Sequence, residues 1–179
     1  MKLIMSAFLL VGFMAIALIS CSDSDSSGPS DTFTVPDLVF NANITGAETL
    51  DLNFTLKENV ATEYAMNGSV SSAAKVFSMV AMKMPTDWQL SLVTDATKLE
   101  TKTYKTNEGN AISSFMSPSG TGYVSSSGEV TVTKQVNHPG LLKDWYIDGT
   151  FTMIMYEAAN PDNTITISGS FSGVFISEN

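Results

Sequence analysis

The chain changes character twice. Leu3 to Ile19 is a nearly unbroken apolar run in which Ser6 is the only hydroxyl. From Leu38 onward apolar and polar residues alternate with a period of two, the spacing that sends successive strand side chains to opposite faces. Between these regions Ser22 to about Pro36 is rich in Ser, Asp, Gly and Pro. Such a segment buries too little apolar surface to offset its ordering entropy, and it reads as a flexible tether. The division is residues 1–20 as a leader, 21–36 as tether and 37–179 as one folded domain.

The alternation predicts individual strands. Leu38, Phe40, Ala42 and Ile44 share one face, and Leu50, Leu52, Phe54 and Leu56 share another. Val76 to Met84 is apolar on both parities until Lys83, which predicts a central strand covered on both sides. Trp88, Leu90 and Leu92 alternate, as do Val130 and Val132. In the C-terminal third, Trp145, Ile147, Gly149, Phe151, Met153 and Met155 form one face, opposite Tyr146, Asp148, Thr150, Thr152, Ile154 and Tyr156. Ile165, Ile167, Gly169, Phe171, Gly173 and Phe175 line one side of a last strand. Turn residues fall at Glu108-Gly109-Asn110, Pro118-Ser119-Gly120, Ser127-Gly128, Asn137-His138-Pro139-Gly140 and Asn160-Pro161-Asp162-Asn163. The expected fold is all-β: a single antiparallel β-sandwich or β-barrel domain of about 8–10 strands. Only Lys57 to Ala65 and Asp95 to Thr101 leave room for a turn or two of helix. The patterns Ile147-Asp148-Gly149-Thr150-Phe151 and Ile167-Ser168-Gly169-Ser170-Phe171 echo each other, and glycines within strands mark bends, bulges or close backbone approach.

The leader carries Lys2 as a positive n-region before its apolar run, in the manner of a secretory signal peptide. Its end, Leu18-Ile19-Ser20-Cys21, resembles a bacterial lipobox. That resemblance implies cleavage before Cys21, a diacylglyceryl thioether on its sulfur and acylation of the new amine, palmitate-type chains included. One acyl chain binds a membrane marginally, whereas two or three hold it stably. The competing reading is a retained transmembrane helix, which needs about 20 apolar residues and at least about 17. The run Ser22-Asp23-Ser24-Asp25 resembles the export signals of Bacteroidota surface lipoproteins, implying outer-membrane attachment and surface exposure. Phe40-Asn41-Ala42-Asn43-Ile44-Thr45-Gly46, Gly128-Glu129-Val130-Thr131-Val132-Thr133 and the two echoing glycine patterns resemble small Bacteroidota lipoproteins of uncharacterised function. This resemblance implies an all-β cell-envelope module and brings no catalytic residues.

Charge narrows the partners. Nine lysines, no arginine and 18 acidic residues give a formal net charge of −9. Loss of Lys2 with the leader leaves 8 − 18 = −10. Nucleic acid needs cationic contacts that such a surface lacks. One cysteine excludes a disulfide within the chain and any thiolate metal cluster, and one histidine, His138, removes most metal and general-base arrangements. No cofactor is expected.

The remaining chemistry is sparse. His138 lies in a turn, where it reads as a solvated loop residue. Asp144 and Asp148 share a strand face but stand about 13 Å apart, beyond the roughly 5–9.5 Å of glycosidase carboxylates. Met82 and Met84, and Met153 and Met155, pair thioethers on strand faces, where methionine serves as an adaptable core filler. Tyr146 and Tyr156, off the main apolar face, are the candidate ligand-contact aromatics for sugar stacking. The expected function is a lipid-anchored envelope lipoprotein, a non-catalytic binding or surface component. It reaches the membrane through acyl chains on Cys21 and meets a cell-surface glycan or protein. The alternatives are a small apolar-ligand carrier with a β-barrel cavity and an envelope hydrolase acting on glycans.

Overall fold

Alternation along the chain becomes ten strands in the computed structural model, which describes residues 33–179 apart from residues 86 and 108–110. The lipobox residues Leu18, Ile19, Ser20 and Cys21 lie outside the described residues, as does the turn expected at Glu108-Gly109-Asn110. The strands are β1 (Leu38–Gly46), β2 (Leu50–Leu56), β3 (Tyr64–Ser71), β4 (Val76–Lys83), β5 (Trp88–Asp95), β6 (Thr103–Lys105), β7 (Ser114–Met116), β8 (Gly122–Asn137), β9 (Asp144–Glu157) and β10 (Thr164–Glu178).

Seven of them close a barrel, in the order β10-β3-β4-β5-β7-β8-β9 and back to β10. The hairpin β1–β2 extends the sheet from the first half of β10, and β6 adds to the middle of β8. All pairings are antiparallel except one. Ile176–Glu178 run parallel to Gly68–Val70, and this short seam closes the ring. β8 and β10 are long enough to serve two partners in turn along one edge: β8 lies beside β7 and then β6, and β10 lies beside β1 over residues 165–172 and then beside β3.

The expected apolar faces are the core. Leu38, Phe40, Ala42 and Ile44 of β1 are buried, as are Leu52, Phe54 and Leu56 of β2. Phe40 stacks on Phe54 at 5.2 Å, Phe151 at 5.9 Å and Trp88 at 6.0 Å between ring centroids. Each such residue taken out of water contributes roughly 1.5–3 kcal/mol. The ring strands add Phe77, Leu90, Ile147, Met153 and Met155, all fully buried, so packed side chains fill the barrel interior.

Four expectations need correction. β4 buries one face only: Phe77, Met79 and Ala81 are fully buried, whereas Val76, Ser78, Val80 and Met82 are half-covered. Lys57–Ala65 holds a single 3₁₀ turn over Lys57–Asn59 before β3 begins, and Asp95–Thr101 has no helix. Ser127-Gly128 does not break the chain, because β8 continues through it with a register shift between Ser125 and Ser127. Phe175 faces away from the core. A bulge between Phe171 and Val174 inverts the alternation, so Val174 and Ile176 are buried in its place. Gly173 allows that bulge with φ of 67°, where its Cβ would stand 2.3 Å from the Asp37 carbonyl oxygen.

Candidate apolar binding site

At the end of the barrel where β7 turns into β8, an apolar hollow of about 540 Å³ opens. Four neighbouring strands build it through their register. Met82 of β4 pairs with Gln89 of β5, Gln89 with Met116 of β7, and Met116 with Gly122 of β8. A second row adds Ser114 opposite Val124, and Trp88, Phe115, Tyr123 and Ala158 also line it. Gly122 makes the space: a Cβ there would meet only the Met116 methyl, at 3.8 Å. The lining is thus apolar and adaptable, with Gln89 and Lys83 as its polar rim. Lys83 is held at that rim by Asp87 at 2.9 Å, with its ammonium 5.8 Å from the Tyr64 ring centroid.

Glu48, in the turn between β1 and β2, accepts hydrogen bonds from the Ser117 and Ser119 hydroxyls, each at 3.0 Å. Burial pushes the Tyr123 phenol up to about 12, and the Glu48 carboxylate beside it adds to the shift. Tyr123 is therefore a neutral donor wherever the domain is folded at ordinary pH. Deeper between β5 and β8, Ser113 replaces ladder hydrogen bonds with side-chain ones. Its hydroxyl donates to the Val93 carbonyl at 3.2 Å and accepts the Val93 N–H at 2.8 Å. Its own N–H donates to the Ser125 hydroxyl at 3.0 Å.

The two candidate tyrosines do not share a shelf. Tyr146 is buried among Phe33 at 5.8 Å, Phe175 at 5.5 Å and His138 at 5.9 Å. Burial raises its phenol, and the neighbouring Asp144 charge adds to that. Tyr156 is half-buried ten residues further along β9, roughly 33 Å away along an extended strand. His138 is half-covered by that same aromatic group rather than solvated, and its Nδ1 accepts the Gly140 N–H at 3.1 Å. Phe33 to Pro36, read from composition as tether, pack here: Phe33 stacks on Tyr146, and Asn59 donates to the Pro36 carbonyl at 3.1 Å.

Asp148 has structural partners. Its Oδ1 accepts the Gly173 N–H at 2.8 Å and the Ser172 hydroxyl at 2.9 Å, which pins the β10 bulge. Among the described residues no group of three or more His, Cys, Asp or Glu converges as a metal site would require. Met153 and Met155 are fully buried in the core, whereas Met82 lines the hollow and Met84 is exposed. The sequence reading missed the hollow because β7 is three residues long, too short to show a period. The available signal was the apolar pair Phe115-Met116 just before the turn Pro118-Ser119-Gly120.

An all-β barrel domain with a packed interior and an apolar hollow at one end is the class these features define. No family model, curated protein or solved structure matches the chain.

Proposed function

We propose that this chain is a lipid-anchored cell-envelope protein, acylated at Cys21, whose barrel binds a small apolar ligand or an apolar side chain of a partner without transforming it. The observation that carries the reading is the hollow between Met82, Trp88, Met116 and Gly122. Methionine and aromatic walls with few polar groups suit apolar matter of varied shape. A carrier enclosing its ligand inside the barrel is disfavoured, because Phe77, Leu90, Ile147 and Met153 of the ring strands are fully buried in packed core. The lipobox resemblance at Leu18-Ile19-Ser20-Cys21 supports the anchor and the envelope placement, and the resemblance of Ser22-Asp23-Ser24-Asp25 to surface-export signals supports a barrel carried on the cell surface.

Two measurements test the two halves. Intact-mass analysis of the native protein is expected to show the leader removed and fatty chains on Cys21; an unmodified thiol overturns the anchor. Titration with the neutral apolar dye phenylnaphthylamine is expected to give saturable fluorescence with energy transfer from Trp88. Gly122→Leu, whose side chain enters the open space, is expected to weaken that binding at least tenfold while the unfolding midpoint stays put. Undiminished dye binding in the Gly122→Leu variant overturns the site.

A further inference from the structure

We infer that the hairpin tip joining β8 to β9, Leu141-Leu142, dips into the surface of the lipid bilayer that holds the anchor. Leu142 is fully exposed and its neighbour Leu141 is 48% exposed. Adjacent leucines at the tip of a hairpin are unusual, because turn positions favour Gly, Pro, Asn and Asp. They are not isolated either: Phe33 and Val136, both exposed, flank the same hairpin base, and Phe33 packs on His138 and Tyr146. Exposed apolar side chains clustered in this way mark an interaction surface.

What identifies the partner as lipid is where the chain comes from. The described residues begin at Phe33, against this hairpin. Cys21 precedes Phe33 by twelve residues, which reach at most about 40 Å even fully extended. An acyl anchor on Cys21 therefore keeps this end of the barrel within reach of the membrane, so a weak apolar contact becomes an intramolecular one at high effective concentration. The hollow lies at the opposite end of the β8–β9 ribbon, near Val124, roughly 40 Å from Asn137 along an extended strand. A docked tip leaves the hollow facing away from the lipid. The contact is apolar rather than electrostatic: Lys143 stands 3.7 Å from Glu178 and Lys134 3.8 Å from Asp148, so the local lysines have acidic partners. Insertion is thus expected to be indifferent to anionic lipid.

This inference rests on the acylation of Cys21, and one experiment separates the two. Cys21 is the only cysteine, so acylation leaves a Leu142→Cys variant with a single free thiol, which is labelled with an environment-sensitive fluorophore. The mature lipidated protein is placed in phosphatidylcholine vesicles containing brominated lipid. A blue shift, quenching by the bromines, and the same response when anionic lipid or salt is added are the expected results. A fluorophore that stays in water, on protein whose mass shows acyl chains, overturns the inference and leaves the anchor standing. Protein whose mass shows no acyl chains overturns both. A blue shift that needs an added envelope protein and is not quenched by bromines assigns the tip to a protein partner and also overturns it. Leu141→Ser with Leu142→Ser, read by hydrogen exchange across residues 138–144 on vesicles, is expected to lose the protection that the native tip gains there.

Discussion

Gly149 of β9 stands directly opposite Phe171 of β10, and the Phe171 ring fills the space where a Gly149 side chain would be. A Cβ at Gly149 would lie 2.5 Å from the Phe171 ring tip and 2.2 Å from the Thr131 carbonyl oxygen. Two residues along, the relationship is reversed. Phe151 faces Gly169, where a Cβ would lie 2.6 Å from its ring. The two rings then pack 6.5 Å apart, 18° from parallel. The echoing glycine patterns are the two halves of this reciprocal pairing. Gly149→Ala is expected to destabilise by about 1–3 kcal/mol in denaturant unfolding, the cost of overpacking a filled site. Adding Phe171→Leu is expected to recover part of the loss, since it removes the ring but not the Thr131 carbonyl. Strictly additive effects of the two substitutions would contradict direct contact.

The bulge that turns Phe175 outward depends on a carboxylate. Asp148 accepts from both Ser172 and Gly173, and hydrogen bonds to charged groups contribute about 1.5–3 kcal/mol. Asp148→Ala is expected to lower stability by about that much, and Gly173→Ala, placed at φ 67°, by about 1 kcal/mol or more. Calorimetry or urea unfolding checks both, with the exposed Thr150→Ala as a silent control.

Methionines divide by environment. Met153, fully buried, is expected to cost about 2–5 kcal/mol as Met153→Ala. Met116, 47% exposed beside the hollow, is expected to cost under about 0.5 kcal/mol as Met116→Ala while weakening apolar dye binding. Unfolding and dye titration of the same two variants separate core from site.

Tyr123 gives the domain an alkaline limit. Its folded pKa, about 12, lies above the ordinary tyrosine value of 10, so folding favours the protonated phenol. Its contribution is complete below pH 10 and is lost as pH rises from 10 toward 12, by at most about 3 kcal/mol in all. Tyr123→Phe is expected to flatten the fall in stability across that window relative to the native protein. Tyr104 and Tyr146 are shifted in the same direction by burial, so the difference between the two curves isolates Tyr123.

The sequence by itself determined the longer strands of unbroken alternation and the faces that they bury. Leu38 to Ile44, Leu50 to Leu56 and Trp145 to Met155 could be read because a period of two is a local property of the backbone, visible within a few residues. It also determined the lipobox resemblance at Cys21, a contiguous run of four residues. Tertiary structure alone decided which strands meet. The parallel seam of Ile176–Glu178 with Gly68–Val70 joins segments about a hundred residues apart, and no local period encodes it. The bulge at Gly173 reversed the face of Phe175 because an inserted residue shifts parity, and its stabilising partner, Asp148, is on another strand. The hollow arose in the same way. Met82, Gln89, Met116 and Gly122 become a single row only when four strands align, so the site is a property of register rather than of any one stretch of chain.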